Sequence, residues 1–106
     1  MDGVGDDTSS GTLAVLIHNE GDDVGVAIRD LEPGEALAGW LDSNRRETIL
    51  VKEAIPLGHK VALVDLAEGA EVTEYKVRVA LTRCAIERGA LVHTHNVRSA
   101  RWQQSA

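Results

Sequence analysis

A glycine flanked by an apolar residue three positions away on each side is the feature that most restricts how this chain can fold. The pattern occurs at 31–37, 55–61, 66–72 and 86–92, centred on Gly34, Gly58, Gly69 and Gly89. The gaps between the copies are unequal, which argues against a solenoid, whose repeat period is fixed. Tight turns with positive φ favour glycine, so each copy predicts a strand end, a turn and a new strand.

Short apolar segments between these turns predict the strands. They are residues 12–18, 24–29, 36–41, 47–52, 60–64, 71–75, 77–83 and 91–96. Alternation is clearest at Val24, Val26 and Ile28. Residues 80–88 contain good helix formers and alternatively predict one helical turn, too short to be a long helix. We therefore expect a mainly all-β fold with at most one or two short helical turns.

The core must be built from Val, Leu, Ile and Ala, because the chain has no Phe, one Tyr and two Trp. Such small side chains favour thin, strand-rich packing over a deep cavity that buries a large cofactor. We expect one domain over residues 12–102, preceded by a disordered tail at 1–11 and followed by a short tail at 103–106.

Cysteine use and charge restrict the compartment and the partners. Cys84 is the only cysteine, which excludes an intramolecular disulfide and is typical of a reducing cytoplasm. The sequence contains neither a signal-peptide pattern nor an apolar run near the ~20 residues that cross a bilayer. The net charge of −6 argues against nucleic-acid binding. We expect a cytoplasmic protein that binds neither nucleic acid nor membrane.

The charges are distributed unevenly along the chain. Residues 1–74 contain 16 acidic and 5 basic side chains, whereas residues 75–106 contain six basic side chains and one acid, Glu87. A local positive field of this kind attracts a small anion. The alternative is a solvated face, or one side of an interface with an acidic partner.

Two histidines lie two residues apart in the stretch ALVHTHNV. If this stretch is a strand, His93 and His95 point to the same face, because residues i and i+2 of a strand do so. Two imidazoles can contact one metal ion or a carboxylate, but they are too few for a tight metal site. The alternative is two polar residues on the solvated face of an ordinary strand.

A second candidate pair, His59 and Lys60, follows the turn glycine Gly58 in PLGHKVAL. The position predicts side chains at the rim of the domain, where the two residues can bind an anion together or His59 can join the other imidazoles. The alternative is a solvated turn. The sequence contains no glycine-rich phosphate loop and no recognisable nucleophile motif.

The segments IPLGHKVALVDLAEGAEV, with Tyr75 after it, and GALVHTHNVRSAR together resemble the SAF domain of the altronate/galactarate dehydratase family. The resemblance covers about residues 12–102. In that family the domain is either the N-terminal module of a large dehydratase or a separate small subunit, as in altronate dehydratases and sulfolactate sulfo-lyases. The sequence is more similar to the separate small subunit.

The resemblance implies a β-clip fold and a part in β-elimination from an altronate-type sugar acid or 3-sulfolactate. It further implies a divalent metal, expected to be iron, held mainly by a large catalytic subunit that also supplies the catalytic base. The isolated chain is then expected to be inactive, with self-association into a homo-oligomer as one option.

The resemblance also implies which side chains contact the small anionic hydroxy-acid substrate or the metal. These candidates are His93, His95, Asn96, His59, Lys60 and Arg98. Within this set, Lys60 and Arg98 are expected to orient the carboxylate or sulfonate. The alternative function, from another class, is a non-catalytic SAF module that binds a sugar acid or assembles a complex.

The chain departs from the family pattern in one region. Tyr75-Lys76 and Val79-Ala80 stand where the family has Tyr-Gly and Ile-Gly. Because glycine allows positive φ and close approach, its loss predicts a different local turn and different substrate contacts there.

Overall fold

The computed structural model describes residues 12–99, and within this range the fold contains strands and no helix. The strands are β1 (Leu13–Ile17), β2 (Val24–Ala27), β3 (Gly34–Trp40), β4 (Arg46–Val51), β5 (Lys60–Ala62), β6 (Glu71–Glu74), β7 (Val77–Thr82), β8 (Leu91–Val92) and β9 (Val97–Ser99). The all-β prediction is confirmed. The predicted tails at 1–11 and 103–106 lie outside the described residues, as do residues 100–102.

The strands form two sheets. One has six strands in the order β4-β3-β1-β2-β5-β8, and the other has three in the order β6-β7-β9. Only the β1–β3 pair is parallel among these ladders, and the others are antiparallel. No helix in residues 12–99 is long and apolar enough to cross a bilayer.

Three of the four glycine patterns form the predicted turns, at Gly58, Gly69 and Gly89, whereas Gly34 opens β3 after a bend at Pro33. The four patterns associate in two pairs. Leu31 and Ile55 exchange backbone hydrogen bonds of 2.8 and 2.9 Å, and Leu66 and Ile86 exchange bonds of 2.7 and 2.8 Å. The central glycines all have positive φ, at 134°, 88°, 80° and 91° in chain order. At Gly89 a Cβ would also collide with the backbone of β4, so that position requires glycine for two reasons.

An aspartate supports each pair of turns in the same way. The Asp30 carboxylate accepts a 2.8 Å hydrogen bond from the backbone N–H of Leu57. The Asp65 carboxylate accepts a 2.8 Å hydrogen bond from the backbone N–H of Arg88. Each aspartate directly precedes the first apolar residue of its pair, at Leu31 or Leu66, so the two pairs repeat one hydrogen-bonding arrangement.

The backbone around His59 and Ala90 repeats as well. The N–H of Ala27 donates to the carbonyl oxygen of His59 at 2.9 Å, and the N–H of Ala62 donates to that of Ala90 at 3.0 Å. His59 and Ala90 therefore occupy matching positions in the two repeats.

Two clusters of small branched side chains form the core, as the composition predicts. The first contains Ile17, Ile49 and Ile55, all 1% exposed or less, and the second contains Val24 and Val72. Strands β2 and β5 contribute residues to both clusters. Residues of one strand on opposite faces of the sheet thus connect the two clusters.

The helical turn predicted at 80–88 is wrong. Ala80–Thr82 belong to β7, which pairs with both β6 and β9, and Ile86 pairs with Leu66. Local helix propensity is a weak preference, and here two ladders and the burial of Ile86 override it. The other strand predictions agree within two residues at each end, except the last, at 91–96.

A network of charges joins loops that are distant in the sequence. The Arg45 guanidinium lies 4.1 Å above the Trp40 ring and contacts Glu20 at 2.6 Å and Glu47 at 2.7 Å. Arg88 contacts Glu47 from the other side at 2.8 Å. The hydrogen bond from Arg45 lowers the pKa of Glu47, against the opposing effect of burial, and Arg88 lowers it further. Hydrogen bonds to Glu47 and Glu20 raise the pKa of Arg45.

Candidate functional site

A groove of about 630 Å³ brings together four of the six candidate side chains. Strands of both sheets contribute to its lining, and its floor is apolar. The floor includes Val24, Val72, Val79 and Val92, and the polar lining consists of His59, Lys60, Glu74, Arg83, His93, Thr94 and Arg98. An apolar floor with a few converging charged and imidazole groups is the usual form of a small-ligand site.

The turn at Gly58 positions His59. The backbone N–H of His59 donates to the carbonyl oxygen of Pro56 at 3.0 Å, and its carbonyl oxygen accepts from Ala27 at 2.9 Å. Hydrogen bonds at both the N–H and the carbonyl oxygen therefore fix the backbone of His59, to which the ring is attached. Its Nδ1 atom is buried and has no hydrogen-bond partner among the described residues. A buried ring nitrogen without a partner can bind a ligand.

A second turn positions His93 opposite His59. The two ring centroids lie 5.0 Å apart with an angle of 49° between the planes. The backbone N–H of His93 donates to the side-chain oxygen of Asn96 at 2.9 Å, and its carbonyl oxygen accepts from Asn96 and Val97, both at 3.0 Å. The imidazole pair of the groove is thus His59 and His93.

Asn96 is buried and holds the second turn together. Its side-chain oxygen accepts the hydrogen bond from His93, and its side-chain nitrogen donates to the carbonyl oxygen of Leu91 at 2.7 Å. Its own carbonyl oxygen accepts from Arg83 at 2.7 Å. Both ends of the amide are therefore used inside the fold, so Asn96 positions His93 and does not line the groove.

The prediction that His93 and His95 share one face of a strand is wrong. The strand predicted at 91–96 ends at Val92, and residues 93–96 form a turn. The Asn96 side chain offers hydrogen bonds to nearby backbone groups that would otherwise pair in a ladder, which favours a turn over a strand. His95 lines a separate hollow of about 440 Å³ together with Cys84 and Asn96.

Lys60 opens β5 and lies in the groove beside a buried acid. Its Nζ atom is 3.5 Å from the Glu74 carboxylate, with the Lys60 side chain 40% exposed and the Glu74 side chain 5% exposed. The ammonium group therefore reaches the open part of the groove, whereas the carboxylate lies at its inner wall.

Two arginines add positive charge to the groove. Arg83 is anchored by its Nε, which donates to the carbonyl oxygen of Val97 at 3.1 Å. Arg98, on β9, is exposed and lines the same groove. Both come from the basic end of the chain, whereas Lys60 and Glu74 come from its acidic part. That the groove attracts an anion stays a prediction.

Sequence reasoning missed Glu74 and Arg83 as groove residues. Glu74 was detectable, because Val72 and Glu74 share one face of a predicted strand and Val72 is apolar. For Arg83 there was no local signal, since its place depends on the pairing of β7 with β9.

The region that departs from the family pattern lies next to the groove. Tyr75 and Lys76 connect β6 to β7 with φ values of 56° and 65°, so the turn keeps left-handed residues without glycine. The Asp22 carboxylate accepts hydrogen bonds from the backbone N–H groups of Tyr75 at 3.0 Å and Lys76 at 3.2 Å. The Tyr75 hydroxyl lies 2.8 Å from His18 Nε2. Contacts from the loop after β1 therefore support this turn, and the expected difference in substrate contacts stays a prediction.

The imidazole pair can supply two nitrogen ligands to a metal ion. Across the described part of the chain, no group of three or more His, Cys, Asp or Glu side chains is arranged to hold one. Since a tight site needs at least three protein ligands, His59 and His93 fit a metal only as a partial ligand set.

Comparisons with known proteins show the family of the chain. The family model of the altronate/galactarate dehydratase SAF domain matches residues 13–100. The (2R)-sulfolactate sulfo-lyase subunit alpha of Chromohalobacter salexigens is 42% identical over 93 residues, which cover 86% of this chain and 99% of that subunit. The same-named subunit of Paracoccus pantotrophus is 41% identical over 54 residues, 51% of this chain and 81% of that protein. The altronate dehydratase of Escherichia coli is 35% identical over 78 residues, 74% of this chain but 15% of that enzyme.

Proposed function

The chain belongs to the altronate/galactarate dehydratase SAF-domain family, and from this premise we propose that it is the small subunit of a metal-dependent hydroxy-acid lyase. The substrate is an altronate-type sugar acid or 3-sulfolactate, and a separate large subunit carries most of the catalytic apparatus. The single observation that carries the proposal is the groove, because it joins an imidazole pair to cations suited to an anionic acid.

The coverage of the relatives supports the role of a subunit. The match extends over 99% of a protein named as a subunit alpha but over 15% of a whole altronate dehydratase. The chain therefore corresponds in extent to the small component of such a lyase.

The reaction is an elimination next to a carboxylate. A base removes the proton on the carbon that bears the carboxylate and a hydroxyl. The released electron pair forms a carbon–carbon double bond while the substituent on the next carbon leaves, as water or as hydrogen sulfite. The resulting enol rearranges to a 2-oxo acid. Such a reaction needs a proton acceptor, stabilisation of the enediolate charge and an acid for the leaving group.

The groove residues divide these tasks with the large subunit. Lys60 and Arg98 hold the substrate carboxylate or sulfonate through charge-assisted hydrogen bonds. His59 and His93 contact the substrate or the metal with their ring nitrogens, and Asn96 keeps His93 in place. The proton acceptor comes from the large subunit in this proposal.

A divalent metal, which we propose to be iron, supplies Lewis-acid stabilisation of the developing oxyanion when it is bound. In this chain His59 and His93 are the residues that would hold it. The large subunit would provide the other ligands, because the described residues offer no third one. The lone Cys84 supports a reducing, cytoplasmic setting for such a complex.

The proposal is tested by co-purifying this chain with its large subunit and assaying elimination from altronate and from 3-sulfolactate. We expect His59→Ala and His93→Ala to reduce turnover by roughly 10- to 100-fold, the range typical for residues that orient a metal or reacting group. His95→Ala is the matched control, because it lies in the same turn as His93 but outside the groove, and it should keep nearly full activity.

Full turnover in both the His59 and His93 variants would remove the groove from the mechanism. A complex that eliminates from neither acid, while the isolated chain binds a sugar acid tightly, would instead support the non-catalytic SAF module.

A further inference from the structure

Glu74 is the one buried carboxylate that lines the groove within residues 12–99. Its side chain is 5% exposed, and Lys60, at 3.5 Å, is its only charged partner among the described residues. No hydrogen bond from those residues reaches the carboxylate oxygens. Other buried or half-buried acids in the fold, such as Asp22 and Asp23, accept hydrogen bonds from backbone N–H groups.

The strand places this carboxylate at the groove wall. Glu71 and Thr73 face one side of β6, and Val72 and Glu74 face the other, where Val72 packs in the second core cluster. Glu74 thus takes an inward position that alternation would normally give to an apolar residue. An acid in such a position carries a desolvation cost that a single ion pair without hydrogen bonds offsets only in part.

A ligand that brings a hydrogen-bond donor would satisfy this group. The Glu74 carboxylate oxygens are not among the fully buried atoms that lack a partner, so they remain accessible from the groove. A hydrogen bond from a ligand to such a charged group is among the stronger ones. The position of Lys60 indicates which group of the ligand would donate this hydrogen bond. If the Lys60 ammonium holds the substrate carboxylate, the hydroxyl on the adjacent carbon lies next to the acid that Lys60 contacts.

We infer that Glu74 is a specificity-determining residue of the groove and that it accepts a hydrogen bond from the hydroxyl next to the substrate carboxylate. This inference rests on the proposed function. It adds to that function the chemical group that the site recognises, the hydroxyl next to the carboxylate. The ligand class is a 2-hydroxy acid, whether the rest of the molecule carries further hydroxyls or a sulfonate.

The test measures binding by calorimetry to the co-purified complex treated with a metal chelator, because the hydroxylated probes would otherwise be turned over during the titration. The two probe pairs are 3-sulfolactate with 3-sulfopropanoate, and altronate with its 2-deoxy counterpart. In the unmodified complex the hydroxylated acid should bind about 10- to 100-fold more tightly than the acid without the hydroxyl, as expected for a hydrogen bond to a charged acceptor.

In Glu74→Met, which keeps the side-chain length and removes the acceptor, this ratio should fall to near one. Glu74→Gln retains a neutral acceptor and should give an intermediate ratio. The matched control is Glu71→Gln, on the opposite face of the same strand, where the exposed acid pairs with Arg78. It should leave the ratio unchanged. Thermal unfolding of each variant separates a folding defect from a change in recognition.

An unchanged ratio in folded, assembled Glu74→Met overturns the inference. Hydroxyl-dependent binding without elimination keeps the inference and overturns the proposed function. A complex that binds neither member of either pair overturns both.

Discussion

At the scale of single residues, Asn96 shows how a side chain outside the groove can determine its geometry. Its amide spans the turn, accepting from the N–H of His93 and donating to the carbonyl oxygen of Leu91. Because both bonds are made in a buried position, the amide fixes the backbone on which the His93 ring is mounted. Within the HTHN stretch, His93 therefore lines the groove, and Asn96, three positions later, holds the turn.

Replacing Asn96 should cost both stability and function. In Asn96→Ala two partly buried backbone groups lose their partners, so we expect the free energy of unfolding to fall by about 1–2 kcal/mol. Activity of the co-purified complex should fall with it as His93 moves. Denaturant unfolding and the elimination assay measure the two effects. His95→Ala, an exposed residue of the same turn, should change stability by less than about 0.5 kcal/mol. Equal stability of the two variants would contradict this role for Asn96.

The structure brings four of the six candidate residues to one groove, but it separates His95 from His93. Gly58 fixes His59 at a turn, and this was predictable because a turn glycine is a local signal. The grouping of His93 with His95 failed because one amide, Asn96, converts a β-branched run into a turn. The pairing of His59 with His93 joins residues distant in the chain, and no local pattern contains that information.

At the scale of elements, the β6–β7 hairpin is stabilised from outside its own two strands. Tyr75 and Lys76 both adopt left-handed conformations, which are unfavourable for residues with a Cβ. Asp22 accepts hydrogen bonds from both backbone N–H groups. The hairpin that carries Glu74 therefore depends on the loop after β1.

Restoring glycine at this turn should stabilise the protein. Lys76→Gly relieves the unfavourable φ of 65° and keeps the backbone N–H that Asp22 accepts from. Glycine also makes the unfolded chain more flexible, which offsets part of this effect. We expect the free energy of unfolding to rise by up to about 1 kcal/mol. The control Lys76→Ala keeps a Cβ and should show no gain. Denaturant unfolding compares the two variants, and a loss of stability in Lys76→Gly would count against a strained turn.

The elements themselves were largely predictable, because glycine turns and apolar alternation are local properties. The partner of each element was not. The four glycine patterns predicted four turns, but the antiparallel contacts of Leu31 with Ile55 and of Leu66 with Ile86 are made between separate turns. Likewise β9 was missed, since three residues after a turn carry too little pattern to predict a strand.

At the scale of the whole molecule, the network around Glu47 connects three regions. Glu20 follows β1, Arg45 and Glu47 lie in the β3–β4 hairpin, and Arg88 lies in the turn before β8. The side chains are each 39–45% exposed, so solvent and salt screen the network. Its contribution is small and depends on the ionisation of Glu47.

The lowered pKa of Glu47 gives the sign of a pH effect. A carboxyl whose pKa is lower in the folded state contributes stability above its unfolded pKa, about 4.3 for glutamate, and this contribution disappears as the pH falls through the folded pKa. Glu47→Gln should therefore have a lower Tm than the unmodified protein at pH 7, and the two Tm values should converge below about pH 4.

The matched control is Glu35→Gln, an exposed acid on β3 outside the network. It should show no such convergence. A Tm difference between Glu47→Gln and the unmodified protein that grows towards acid pH would contradict the lowered pKa of Glu47.

The repeated turn pairs allow two parts of the molecule to be compared position by position. Both units have the same aspartate contact, the same exchanged hydrogen bonds and a glycine turn. His59-Lys60 and Ala90-Leu91 stand at corresponding places in the two units. At this place one unit carries an imidazole and an ammonium group, and the other carries two apolar side chains, so the backbone arrangement repeats without its chemistry. Within residues 12–99 the imidazole that pairs with His93 therefore has no counterpart in the second unit.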